Sequence, residues 1–342
     1  MWPYLLFALI IILLYHYKQP EWMVVVMVLF AALRYATGWD FFNYYEMGES
    51  LVELKRREVE YGPLWRPLLN LAFNLHAPQL IIAIPAMIMY PVLFYGLSLI
   101  TNKNSVADAL FVYAFWPFFY LASFSTIRQA IAVCVGVLFV AYSLRRKTIP
   151  AIITMVFAFL LHPSAMILAP FPFVARFKRA LNLRECLLLV VGGGVVLKLA
   201  LKVVASAIGY GVYVGDTGEF GGMLFLVYVV VTAHLALAVA RSRNPYSIRS
   251  KVLSMVLIFF ALETFVYVSD LPSVIARAAL YYEVLLIYVA HYSMAAYKQG
   301  KSMRMVLNIL LVSFFLVYLF WIRNENGASA GFVPYQWIIS IF

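Results

Sequence analysis

The sequence predicts an all-α, polytopic membrane protein of about twelve transmembrane helices (11 to 13), with extracytoplasmic re-entrant and interfacial segments. Three observations predict it. The 342 residues are 65% hydrophobic and only 12% charged, with a mean hydropathy of +0.90, too little polar surface to cover a soluble globule. Apolar runs of spanning length recur along the whole chain. The lysines and arginines that make the net charge +11 fall mainly in short connections between those runs, which is the signature of membrane topology rather than of nucleic-acid binding. The 17% aromatic content suits a chain whose Trp and Tyr collect at both interfaces.

In order, the runs lie at roughly 2–16, 22–37, 79–99, 106–122, 127–144, 148–162, 185–206, 222–240, 252–269, 275–296 and 305–322. The first lacks a basic leader and a small-residue cleavage site, so it reads as a retained helix. Two shorter pieces differ. Residues 63–75 carry Arg66, Pro67, Asn70 and Asn74 and read as an interfacial or re-entrant helix, and 164–175, with Pro170 and Pro172, reads as a broken, thin span. No soluble domain, linker or repeat appears, so residues 1–342 form a single integral membrane domain, with loops at 38–78 and 207–221 on the extracytoplasmic side. Cys134 and Cys186 have neither disulfide nor metal spacing.

The basic groups at 145–147, 176–184, 241–251 and 298–304 belong in the cytoplasm. Counting back places both ends of the chain outside, provided that 164–175 crosses. Lys55, Arg56 and Arg57 then also lie outside, interleaved with glutamates as a paired, solvated surface.

That parity puts five separate polar helix ends at one depth on the outer face. Arg34, Trp39, Asp40 and Tyr44 follow the second run; Glu60 and Tyr61 end the next loop; Arg128 and Gln129 open the 127–144 run; His162 closes the run before Pro163; and Arg277 opens another. A charge at the hydrocarbon boundary costs up to about 3 kcal/mol on insertion scales. Arginines gathered there are better explained by a cavity than by lipid, although snorkelling to the interface is the plainer alternative for each one alone. Arg34, Arg128 and Arg277 outweigh Asp40 and Glu60, and a lipid-linked pyrophosphate would satisfy the surplus. His162, Asp40 or Glu60 would take a proton from a hydroxyl. Trp39, Tyr44 and Tyr61 suit sugar contacts or an aromatic belt equally. Lys198 and Lys202 read as snorkelling residues, Gly192–Gly194 as a helix-packing site, and the intramembrane Glu263 and Glu283 as candidates by default. No metal, nucleotide or other cofactor motif is present.

The fragments Arg34-Tyr35-x-x-Gly38-x-Asp40-x-x-x-Tyr44, Glu60-Tyr61-Gly62, Ile127-Arg128-Gln129-Ala130, Leu161-His162-x-Ser164-Ala165, Arg277 before Tyr281-Tyr282, and Pro334-Tyr335 together resemble the EpsG family of Wzy-like polysaccharide polymerases. The resemblance is strongest over residues 30–175, and Pro163 departs from it. It implies a GT-C-like glycosyltransferase of the bacterial inner membrane whose site faces the periplasm. That enzyme would join undecaprenyl-pyrophosphate-linked donor and acceptor units into O-antigen, capsule or exopolysaccharide, without metal or cofactor. A chain-length regulator is a candidate partner and nucleic acid is not. An O-antigen-ligase-like transferase and a polyprenyl-linked glycan transporter or flippase are the alternatives; a transporter would carry charges along a path through the bilayer rather than at one face.

Overall fold

The computed structural model describes residues 2–342 except 51, 56–62, 208–221, 243, 269–273, 298, 323–330, 334 and 338–342; for 197–207, 222–224, 265–268, 274–278, 321–322 and 337 only the backbone is described. The chain is built of helices. Among the described residues three of them, Leu80–Ile100, Ile127–Leu144 and Gly300–Phe320, are long and apolar enough to cross a membrane, and several shorter helices are also apolar. The chain packs into two compact units, one of residues 1–166 with 305–342 and one of residues 167–304.

The first unit begins with α1 (Trp2–His16) and α2 (Pro20–Ala32). Lys18, at φ 51°, turns the chain between them, and Pro20 sits where the helix has no N–H to lose. A two-residue strand, β1 (Arg34–Tyr35), follows, then α3 (Phe41–Glu49) and α4 (Arg66–Asn74) in the stretch read as an outer loop. Next come α5 (Leu80–Ile100), α6 (Lys103–Phe115), α7 (Ile127–Leu144) and α8 (Thr148–Leu161).

Hydrogen bonds fix which helix ends share a side of this unit. At one end, Lys18 and Tyr15 meet Asp108 (3.1 and 3.0 Å), and Lys103 meets Glu21 (3.1 Å). The tight 145–147 turn, through which α7 and α8 pack as an antiparallel pair, closes on the same side. At the opposite end, the Gln79 amide donates to Ala32 O and Arg34 O (2.7 and 2.9 Å), which brings the start of α5 against the end of α2. Between the two ends lies an aromatic core: Phe7 stacks on Tyr120 (4.9 Å between ring centres) and Phe30 on Tyr335 (4.2 Å).

The run expected to be helical over 106–122 stops at Phe115. Trp116 precedes a proline and is extended (ψ 110°), as the proline ring requires of its neighbour. From there to Thr126 the chain is turns and one short helical turn, almost entirely buried. Within it, the Tyr120 hydroxyl donates to Met27 O in the middle of α2 (2.9 Å), and Tyr90 of α5 shares a hydrogen bond with Ser123 (2.9 Å). The segment therefore dips on the order of 10 Å below the ends of α2 and α5. Irregular backbone at that depth survives only because protein, not lipid, surrounds it.

The stretch expected to be a broken span, which runs from the first unit into the second, is a 3-10 turn at Pro163–Leu168 and a short helix, Phe171–Ala175. Then follow α9 (Leu183–Ala207), α10 (Gly222–Ala240), α11 (Ile248–Val268), α12 (Val274–Glu283) and α13 (Leu286–Ser293). The single helix expected over 275–296 is thus interrupted between Glu283 and Leu286. α10 and α11 pack along their length through Tyr228 on Phe260 (5.5 Å) and Thr232 on Thr264 (3.1 Å). His234, read as structural, is held by Tyr297 (2.8 Å) and Ser293 (2.7 Å). The expected tight helix contact at the triple glycine is not made at its first two positions: a Cβ on Gly192 would meet open space, and one on Gly193 only Leu262 at 3.9 Å. The close approach is instead at Gly96 of α5, where a Cβ would stand 3.2 Å from the Leu138 backbone.

The chain returns to the first unit along α14 (Gly300–Val317), whose Phe315 packs on Tyr4, Phe7 and Phe115. Beyond α14 lies β2 (Gln336–Trp337), antiparallel to β1 with Arg34 opposite Trp337 and Tyr35 opposite Gln336.

Candidate functional site

Beyond α2 the chain leaves the helix, and Arg34 is where it turns inward. Its side chain is 2% exposed. The guanidinium donates through Nε to Thr37 O (3.2 Å), through Nη1 to Ala31 O and through Nη2 to Phe124 O (3.1 Å), and it lies over the Phe124 ring (4.5 Å). A planar fork of donors suits three carbonyls set at three angles. Arg34 therefore pins the 34–40 loop to the buried turn before α7.

Gly38 completes that joint. Its φ of 105° is one that side chains rarely adopt, and a Cβ there would stand 2.6 Å from Phe124 O. The close approach lets the Trp39 N–H donate to the Ser125 hydroxyl (2.9 Å) and the Gly38 N–H to Gly331 O (3.2 Å). From the other side, the Tyr335 hydroxyl donates to Phe30 O and the Tyr4 hydroxyl to Phe332 O (2.5 Å). The described residues between 331 and 337 are thus strapped across the same end of the unit.

Asp40 follows at the N-terminus of α3, half-buried, with Asn43 donating to it at 3.4 Å. Tyr44 is buried one turn further on, and Trp39 is half-buried. Arg128 and Gln129 occupy the first turn of α7, whose first helical bond is Ala130 N–H to Thr126 O (2.8 Å). Thr126 does not cap this helix, because its hydroxyl turns back to Ala122 O (3.0 Å). The positive end of the helix dipole and the Arg128 guanidinium therefore belong to the same recessed turn.

His162 lies at the C-terminus of α8, the partner of α7 in an antiparallel pair, so it stands at the same end as Arg128. Its Nδ1 is 2.6 Å from the Ser164 hydroxyl and 3.4 Å from the Ser164 N–H. A ring nitrogen approached by a main-chain N–H is an acceptor, so the neutral ring carries its proton on Nε2.

Arg34, Trp39, Asp40, Tyr44, Arg128, Gln129 and His162 are thus gathered at one end of the first unit. Glu60 and Tyr61 lie outside the described residues, as do the side chains of Arg277, Lys198 and Lys202; the Arg277 backbone belongs to α12. No cluster of three metal-ligating side chains occurs among the described residues. The sequence reading missed Gln79 and Ser125, which hold the joint together. Gln79 could have been flagged as a polar residue opening an apolar run, just as Gln129 was.

The profile of the EpsG family matches residues 22–337, nearly the whole chain. The chain belongs to the EpsG family. This is a family of Wzy-like polymerases, so the resemblance carried by the motifs is borne out, and EpsG membership supports a role as a polysaccharide polymerase with glycosyltransferase-type activity. No curated protein and no solved structure matches the sequence. Some of the motif fragments through which this EpsG chain resembles its family are held together by its fold: Arg34 and Gly38 reach the turn leading to Arg128, and Tyr335 closes over Phe30.

Proposed function

We propose that the protein polymerises undecaprenyl-pyrophosphate-linked oligosaccharide repeat units into a surface polysaccharide on the outer side of the bacterial inner membrane. The observation that carries the reading is the recessed start of α7, which the Thr126 side chain does not cap: a helix N-terminus with an arginine in its first turn suits a phosphate group. The end bearing Lys18, Lys103 and the 145–147 turn is basic, as a cytoplasmic end should be, which leaves the Arg128 end to face the periplasm.

In this mechanism Arg128 binds the donor pyrophosphate and stabilises the charge that grows on it as the anomeric C–O bond breaks. An acceptor sugar hydroxyl attacks the anomeric carbon and forms the new C–O bond. Asp40, an acceptor only when ionised, takes the hydroxyl proton. Undecaprenyl pyrophosphate leaves with the bonding pair, and direct attack inverts the anomeric configuration. His162 donates Nε2–H to a phosphate oxygen, the role its tautomer favours over that of base. Trp39, Tyr44 and Gln129 line the sugar path, and Arg34 acts by positioning. Glu60, Tyr61 and Arg277 stay candidates for the same chemistry, each tested by substitution.

The test is synthesis of a polysaccharide ladder by purified protein from undecaprenyl-pyrophosphate-linked repeat unit. Wild type should give a ladder; Arg128→Ala should give none, and Asp40→Asn should slow it by about 10²–10⁴-fold. A wild-type ladder from Arg128→Ala would overturn the pyrophosphate role.

A further inference from the structure

The second unit carries a cavity that the polymerase reading does not use. Its volume is about 730 Å³, within the range of small-ligand sites, and its walls include Arg179, Asn182, Arg184, Ser242, Pro245 and Ser250. Loops 176–185 and 241–251, which form it, carry four basic residues each against the single acid Glu185. Basic loops of this kind follow from topology alone. What topology does not require is that they be built into a fixed concavity, and here they are. The Ala180 N–H donates to Pro245 O (2.6 Å), joining the loops. Arg179 clasps Glu185 with both ends of its guanidinium (2.8 and 2.6 Å). Glu185 in turn accepts from the Asn182 N–H (2.8 Å), and Asn182 Oδ1 caps the Glu185 N–H (2.9 Å).

The one acid of the region is therefore spent on Arg179 and on the start of α9. Arg184, exposed at the cavity wall, has no carboxylate partner among the described residues. Hydroxyls stand opposite it. Ser250 donates to Asn244 O (2.7 Å) and approaches the oxygens of Ser242, Ser247 and Tyr292 (2.8, 2.8 and 3.0 Å), and Ser242 and Ser250 line the cavity.

The surroundings say which anion fits. Arg184 heads a stripe on α9 at helical spacing, Leu187, Leu188, Val191 and Val195, all exposed, with Leu188 65% exposed. Phe173 and Phe177 flank Arg176 and are exposed as well. From residue 184 to 195 the helix runs about 16 Å, a length of apolar track suited to an acyl chain. A guanidinium and a hydroxyl-lined hollow at one end of such a track match a headgroup at one end of a lipid tail.

We propose that this cavity binds the phosphate of an anionic glycerophospholipid, with Arg184 on the headgroup and the acyl chain along the α9 stripe. Basic pockets between membrane helices recognise anionic headgroups in this way, at about 1 kcal/mol for each cation near the surface.

The test is native mass spectrometry of the full-length protein in detergent micelles, with phosphatidylglycerol and phosphatidylcholine added in equal amounts. Wild type should retain phosphatidylglycerol by about tenfold or more over phosphatidylcholine. Arg184→Gln should weaken that retention about fivefold, and Arg184→Lys, which keeps the charge, should preserve most of it. Equal retention of the two lipids by wild type would overturn the proposal without any variant. So would a folded Arg184→Gln variant that holds phosphatidylglycerol as wild type does, or displacement of the lipid by millimolar inorganic phosphate, which would mark a free-anion site.

Discussion

Arg34 is a buried cation that meets main-chain carbonyls from three places in the chain, Ala31, Thr37 and Phe124. A lysine cannot span them, because its three donors radiate from one nitrogen. Arg34→Lys should therefore lower stability by about 3 kcal/mol, read as a drop in thermal midpoint in detergent. Should the variant melt like wild type yet bind the lipid-linked donor poorly, the positioning role would give way to direct contact. The glycines make a sharper pair. Gly38→Ala puts a methyl group 2.6 Å from Phe124 O in a left-handed backbone, and folded protein should be largely lost. Gly192→Ala adds the same methyl group in open space within a helix and should be neutral or stabilising by up to about 1 kcal/mol. Equal yields of the two variants would show that the 38–124 contact is dispensable.

Among the elements, β2 and the residues before it hold the site end closed, chiefly through the Tyr335 hydroxyl on Phe30 O and the stacking of the two rings. Tyr335→Phe keeps the stack and removes the bond, so it should cost about 1 kcal/mol in thermal stability; Tyr335→Ala should cost about 3–5 kcal/mol. Comparable melting of the two variants would mean that packing at Tyr335 is unimportant. Helices such as α7 and α8 were legible to within a residue, because an unbroken apolar run between polar ends has one reading in a bilayer. The end of α6 was not, since Trp116 to Leu121 is as apolar as the helix before it and only Pro117 marks the change. Of the site, the neighbouring ends of α2, α7 and α8 were legible as polar interruptions, which is why Arg34, Arg128 and His162 stood out. That Arg34 bonds carbonyls was not, because the Phe124 carbonyl it reaches lies ninety residues away and carries no side-chain signature.

At the scale of the whole molecule, Glu263 and Glu283 stand out among the described residues as a buried acidic pair, 1% and 2% exposed in the second unit and within electrostatic reach of each other. Tyr228 donates to Glu283 at 3.3 Å; Glu263 Oε2 and Glu283 Oε1 have no partner among the described residues. Two like charges so placed are costly, and the neutral isostere removes that cost. Glu263→Gln and Glu283→Gln should each melt at or above the wild-type temperature; a clear fall in either would show that the pair carries a needed charge. The strap over the site has a consequence of another kind. Tyr4 and Phe332 are separated by 328 residues, yet one hydrogen bond joins them. During synthesis the first helices must therefore wait in the bilayer for partners made hundreds of residues later, and a chain cut short before residue 331 leaves Tyr4 and Phe30 without them.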